Sequence, residues 1–396
     1  MEASVPALED LDLGGHRVLL RVDFNVPMQG GKIADDRRMV AALPTLRYLR
    51  EHRAKVVVVT HLGRPKGQPS PELSTEPLAQ HLGKLLGIEV QWCDQVVGDA
   101  VTTAVAKLHE GDVLMLENVR FEPGEEANDP EFAKRLAELA DFWVMDAFGT
   151  AHRAHASTEG VGHLIPGAAG FLMAKEIEVL SGILKSPQHP VVAIVGGAKI
   201  STKIDLINNL AGRVDKVWIG GAMASTFLRA QGLATGDSLV ETDQLEVAAG
   251  IMQRNPGLAL PLDVVVSQHA DVASPTKVVD VNDIPDGWMA VDAGPKTVAA
   301  IGADVTQAKT VIWNGPLGIF EIDEYAQGTR GVAQALAESK ATTIVGGGDL
   351  AAAVDAAGVA DKITHVSTGG GATLEFLEGK HLPGVAVLES QRLHKV

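Results

Sequence analysis

One cysteine, Cys93, stands in 396 residues, and a single thiol cannot close an intramolecular bridge. The fold draws nothing from disulfides, and the scarcity fits a reducing cytosol. Cys93 itself reads as a small buried apolar side chain. Basic residues are also few: 34 Lys and Arg stand against 50 Asp and Glu, a formal net charge of −16. That balance argues against general nucleic-acid or anionic-membrane binding, which needs a basic face, but it leaves room for a local basic pocket. Long apolar runs are missing. The opening MEASVPALEDLDLGG has neither the basic n-region nor the apolar core of a secretory signal. The longest apolar candidate, LIPGAAGFLMA, is broken by proline and glycine, well short of the roughly 18 residues a membrane span needs. A cytoplasmic protein is expected. Also absent are the GxxxxGK[ST] spacing of a Walker loop, a GxGxxG fingerprint after the early strands, and any sequence period relating the two halves.

What is present is strand–loop–helix alternation. Val191–Leu210 is the clearest case: VVAIV reads as a strand buried on both faces, Gly196 and Gly197 permit a tight turn, and Lys199, Ser201 and Lys203 follow as a helix opens. Free helix N–H groups beside lysines suit a polyphosphate; an ordinary loop with surface lysines is the alternative. A chain this long divides into two domains.

In the first half, strand runs at Val18–Val22, Val56–Thr60, Ile88–Trp92, Val113–Leu116 and Phe142–Met145 alternate with helical patterns at Arg37–His52, Thr75–Leu86, Thr102–His109 and Asp129–Leu139. This spacing predicts βαβ units and a mostly parallel sheet, with ligands at the carboxyl ends of its strands. The loops there hold Arg21, Asp23 and Asn25, then His61 and Arg64, then Arg120, then His152, Arg153 and His155, and Arg38 opens a helix nearby. Each alone is ordinary. Arginines converging on one sheet edge of an acidic chain point to a small anionic ligand held by guanidinium forks.

Phe171–Leu184 reads as one helix, closed by Pro187 and Pro190, and as a linker between domains. Strands are then expected at Val191–Val195, Lys216–Ile219, Asp263–Val266, Thr310–Trp313, Thr342–Val345 and Thr364–Ser367, forming a second α/β sheet. Gly220, the Asn314–Gly318 turn, Gly346–Asp349 and Ser367–Gly371 lie on its loops. Glu321 suits ribose hydroxyls, and Asp349 reads as either a helix N-cap or a magnesium contact. Arginines in one half and glycines, lysines and an Asp in the other are what a kinase needs to bring an anionic substrate to a magnesium nucleotide.

The motifs RVDFNVP (Arg21–Pro27), HLGRP (His61–Pro65), ENVRF (Glu117–Phe121), DAFGTAHRAH (Asp146–His155), GFLMAKE (Gly170–Glu176), GGAKISTKI (Gly196–Ile204), WNGPLGIFE (Trp313–Glu321), GGGD (Gly346–Asp349) and HVSTGGGA (His365–Ala372) occur in this order. The chain thereby resembles phosphoglycerate kinase from about Leu11 through Leu388. The resemblance implies an α/β fold of two Rossmann-like three-layer domains with mostly parallel sheets, joined by a helix across a hinged cleft. The expected divisions are an N-terminal glycerate-substrate domain at 1–170, an interdomain helix and hinge at 171–187, and a C-terminal nucleotide domain at 188–381. The tail, 382–396, would pack back on the first domain.

The resemblance further implies reversible phosphoryl transfer, 1,3-bisphosphoglycerate and ADP giving 3-phosphoglycerate and ATP, with Mg2+ bound alongside the nucleotide, in a monomer. Substrate residues would be Asp23, Phe24, Asn25, Arg38, His61, Leu62, Gly63, Arg64, Arg120 and Arg153. The nucleotide side would be Lys199, Lys203, Gly220, Gly294, Asn314, Glu321, Gly347, Gly348, Asp349, Leu350 and Thr368, with Asp349 on the metal. Arg38, Lys203 and the helix starts at Gly346 and Gly370 would stabilise the transferring group. Two positions depart from the family's pattern: Leu350 stands where Thr or Ser usually follows GGGD, and Met145 where Asn usually precedes DAFG. A catalytically weak member acting as a small-anion and nucleotide-binding protein is the alternative.

Overall fold

The computed structural model describes residues 5–391. It divides into two compact units, one formed by the chain up to Glu178 together with the chain from His381 onward, the other by Val179–Lys380 without interruption.

The first unit is built on strands β1 (Arg17–Val22), β2 (Lys55–Val59), β3 (Gln91–Cys93), β4 (Val113–Leu116), β5 (Phe142–Asp146) and β6 (Gly167–Ala169). They lie in the order β3-β4-β2-β1-β5-β6, every pairing parallel. Runs such as KVVVV and VLML are buried almost throughout, as strands covered on both faces must be. Helices α1 (Arg37–Glu51), α2 (Glu76–Leu86), α3 (Asp99–Ala106) and α4 (Pro130–Ala137) supply the crossovers. Met39, Leu46 and Leu82 from two of them pack with Leu20, Val56 and Met115 of the sheet. Helix α4 starts where its sequence says it should: the Asp129 side chain accepts from Phe132 N at 2.8 Å and Pro130 follows at the first helical position.

Two boundaries differ from expectation. Strand β3 begins at Gln91 rather than Ile88, because Gly87 in left-handed conformation and the Ile88 N to Gly83 O bond use that stretch to end α2. Helix α3 lies earlier than Thr102–His109; His109 N is held by Asp112 Oδ2 at 2.8 Å in a turn.

Helix α5 (Phe171–Lys185) begins in the first unit and ends in the second. Thr45 Oγ1 accepts from Phe171 N at 2.9 Å, and Asp146 Oδ1 from Met173 N at 3.2 Å, so neighbouring elements satisfy its first free amides. The helix Pro383–Gln391 lies on the first unit: Gly384 N donates to Ala151 O, and Gln391 Nε2 to Gly162 O and Ile165 O. The remainder of the expected tail, 392–396, is outside the described residues.

In the second unit β7 (Val191–Val195), β8 (Lys216–Ile219), β9 (Leu258–Ala259), β13 (Thr310–Asn314), β14 (Thr342–Gly346) and β15 (His365–Val366) form a parallel sheet in the order β9-β8-β7-β13-β14-β15. Asp263–Val266 was expected in this sheet and is not there. It belongs to β10 (Asp263–Ser267), the centre of a separate antiparallel sheet with β11 (Lys277–Asp280) and β12 (Met289–Ala293). Asp263 fixes that departure. Its carboxylate accepts from the amides of Lys296 and Thr297 at the start of α9 (Pro295–Gln307), tying β10 to that helix.

Candidate active site

In the first unit the loops leaving β1, β2, β4 and β5 bring the expected anion-binding residues together. Arg38, in the first turn of α1, donates from Nη1 to Asp23 Oδ2 at 2.8 Å, and Asp23 Oδ1 accepts from Asn25 N at 3.3 Å. Asn25 Oδ1 accepts from Gly63 N at 2.9 Å, and Arg120 Nη1 donates to Gly63 O at 2.9 Å. Gly63 holds this crossing with a φ of 62°, a conformation that favours glycine. Arg120 is buried and pairs through Nε with Glu126 at 3.2 Å, while its Nη2 has no hydrogen-bond partner.

The cations converge electrostatically. His61, buried, is held well below the usual histidine range, by burial first and then by Arg21, Arg120, Arg153 and Arg38. His155 is pushed down to about 4 by burial and by Arg120, Arg21 and Arg153. Phe24 and Leu62 sit in the hydrophobic core; Phe24 N donates to Thr60 Oγ1 at 2.9 Å and Leu62 O accepts from Asn118 Nδ2 at 2.7 Å. Their buried side chains anchor the loops. Arg64 is exposed and joins none of these bonds among the described residues.

In the second unit a cavity of about 380 Å³ opens beside the ends of β7 and β8, lined mostly by apolar atoms and by Gly220, Gly221, Leu317, Glu321 and Asp349. The close approach of the loops explains two glycines. A β-carbon on Gly220 would strike Leu317, and one on Gly196 would strike the carbonyl oxygens of Gly315 and Pro316. Lys203 Nζ donates to Asn314 Oδ1, and Asn314 Nδ2 donates to Gly346 O at 3.0 Å. Asn314 is buried, so it positions the lysine and the end of β14. Burial lowers the Lys203 pKa, and Glu378 and Asp349 oppose that shift.

Gly347, at φ 106°, takes the N-cap position of α11 (Gly348–Ala356), so Asp349 is not the cap; its exposed side chain lies in the first turn. Gly370 is the N-cap of α12 (Gly371–Leu377). Lys199 and Gly348 are exposed and Thr368 is half-buried, and none of them lines the cavity. Neither does Gly294, which caps α9 beside the cavity-lining Ala293.

A family model described as phosphoglycerate kinase matches residues 8–380. The chain belongs to this family. Curated phosphoglycerate kinases agree: that of Moorella thermoacetica is 54% identical over 385 residues, covering 96% of this chain and 98% of that protein. That of Chloroflexus aurantiacus is 55% identical over 392 residues, with the same coverages. The structure of phosphoglycerate kinase from Coxiella burnetii matches with a TM-score of 0.89 at 43% identity, over 98% of this chain and all of that one. That from Pyrococcus horikoshii gives 0.87 at 34%, over 98% and 99%. The activity is the family's reversible phosphoryl transfer between 1,3-bisphosphoglycerate and ADP.

The two departures from the family's pattern both lie inside. Leu350 is fully buried in the second unit's core, and Met145 is fully buried in β5. Sequence reasoning counted Arg21 among the loop arginines but gave it no role, and passed over Glu125 and Ser157. Ser157 Oγ accepts from Arg21 Nε at 2.8 Å and donates to Glu125 Oε1 at 2.6 Å, a fully buried chain of hydrogen bonds. Glu125 sits near a motif without being in it, and burial alone marks it. Asp292, on the cavity wall, was missed as well; burial raises its pKa to about 7.

Proposed function

We propose that the first-unit cluster is the 3-phosphoglycerate and 1,3-bisphosphoglycerate site and that the second-unit cavity takes the adenine nucleotide. The observation that carries the first assignment is Arg120, a buried guanidinium whose Nη2 has no partner while Arg38, Arg153 and His61 face the same region. A buried cation without a full set of acceptors is stabilised by an anionic ligand. The apolar cavity suits a purine face, and Glu321 on its rim suits ribose hydroxyls.

The chemistry asks little of acid–base groups. A glycerate carboxylate attacks in one direction and an ADP phosphate oxygen in the other, and neither requires a strong base. Catalysis is then positioning and neutralisation of the three equatorial phosphoryl oxygens. We assign Arg38 and Lys203 to that task, with neutral amide donors from the helix starts at Gly346–Gly348 and Gly370. Asp349 would hold Mg2+, which spreads the phosphate charge. One exposed carboxylate beside the cavity fits a metal that takes most of its ligands from phosphate and water.

Because substrate and nucleotide residues belong to different units, we propose a closing movement with its joint in or beside α5. Small-angle scattering should show compaction only when both ligands are bound; unchanged scattering would count against it. A monomer in the cytosol is the proposed working form.

The test is ATP formation from 1,3-bisphosphoglycerate and magnesium ADP, run beside Arg38→Ala. We expect robust turnover in the parent and a loss of roughly 10²–10³ in kcat for the variant, with a smaller change in KM. A variant that loses only affinity overturns the role of Arg38, and an inactive parent overturns the proposed site.

A further inference from the structure

We propose that Arg21 is a positioning residue that holds His61 as the neutral tautomer with its proton on Nε2, so that the ring meets the anionic ligand as a hydrogen-bond donor and not as a cation. The inference concerns the ring itself; its catalytic consequence rests on the substrate-site assignment above.

Arg21 Nη2 lies 3.2 Å from His61 Nδ1. A guanidinium can only donate, so Nδ1 must accept, and the one proton of a neutral imidazole is left to Nε2. Protonating Nδ1 would set an N–H against the Arg21 N–H. Asp23 gives the ring a long ion-pair contact and no hydrogen bond: its Oδ1 is 3.9 Å from Nδ1, and the carboxylate is engaged by Arg38 and by Asn25 N. The cations acting on the ring besides Arg21 are Arg120, Arg153 and Arg38, each from a different element. Burial, which lowers the histidine pKa, acts with them.

Arg21 cannot turn away. It is fully buried, its Nη1 donates to Val22 O, and its Nε donates to Ser157 Oγ at 2.8 Å. Ser157 in turn gives its hydroxyl to Glu125 Oε1 at 2.6 Å and its amide to Oε2 at 2.9 Å. Glu125, also fully buried, thus balances the Arg21 charge through one hydroxyl. A neutral donor gives a phosphate contact whose strength does not change across the histidine range, whereas a titrating ring would tighten binding in acid.

The tautomer can be read directly. Long-range nitrogen–proton NMR on the full chain labelled with nitrogen-15 histidine, with His61 assigned by its absence in His61→Gln, should show the Nε2–H pattern. It should persist from about pH 8 to about pH 5.5, through the ordinary histidine pKa of about 6.5. Ser157→Ala removes the bridge without changing charge. It should shift His61 toward a tautomer mixture and raise the 3-phosphoglycerate KM roughly tenfold, the worth of one charge-assisted bond, with the nucleotide KM within about twofold. An Nδ1–H ring, or titration near the ordinary value in the parent, overturns the proposal. So does a Ser157→Ala variant with tautomer and KM unchanged. If the tautomer is as stated but Ser157→Ala alters it with no effect on the 3-phosphoglycerate KM, the substrate-site assignment fails and the Arg21–His61 pairing stands.

Discussion

Gly196 shows how little room single residues leave where the loops after β7 and β13 meet. A β-carbon there would occupy the space of two carbonyl oxygens on the facing turn, and backbone cannot move aside as a side chain end can. We expect Gly196→Ala to lower unfolding stability by about 1–3 kcal/mol or more, measured as a fall in the urea midpoint with an unchanged slope. At this scale the sequence revealed which side chains are charged and which strand ends they follow, but not which way they point. Phe24 and Leu62 stand inside the RVDFNVP and HLGRP motifs, yet both lie in loops just past strand ends and bury their side chains in the core. Arg21 looks like its neighbours in a list of arginines; only its full burial and its bonds to His61 and Ser157 separate it from the other loop arginines.

The first turn of α11 carries the departure at Leu350. That side chain packs with Trp313, Val345 and Val354 in one core cluster, while Asp349 beside it is exposed. The hydroxyl usual in the family would therefore enter an apolar setting on this backbone. We expect Leu350→Thr to cost about 1–3 kcal/mol of stability and to leave the nucleotide KM within about twofold, readable by thermal melts and steady-state kinetics. A tighter nucleotide KM would instead show that the hydroxyl reaches the ligand. The parallel strands were legible because β-branched runs buried on both faces have few other readings. The antiparallel sheet was not. Its edge strand β11 is half-exposed and lacks such a run, and β10 has the same VVV core as a parallel strand. Pairing direction is a property of partners, which a single segment does not encode.

For the whole molecule, pH acts through buried groups of opposite sense. Asp146 and Asp292 are both raised to about 7, burial being the main cause. Between their ordinary pKa and that value the folded chain holds more protons than the unfolded one, so their contribution to stability falls as pH rises. His155, at about 4, acts oppositely: the unfolded chain takes its proton first, and stability falls as pH drops below about 6.5. Asp146→Asn should thus gain about 2–3 kcal/mol on its parent between about pH 5 and about pH 8, followed by urea unfolding at each pH; a constant difference would place the titration elsewhere. The chain path carries a different consequence. All six strands of the first unit's parallel sheet precede residue 178, whereas the helix that lies over Gly162 and Ile165 comes after the whole second unit has been made. On the ribosome the first unit must wait, its surface at Ala151 and Gly162 uncovered, while the second is translated in one continuous stretch and is free to fold. The later-synthesised unit is the one that can finish first, and the earlier one is sealed by residues made after that unit.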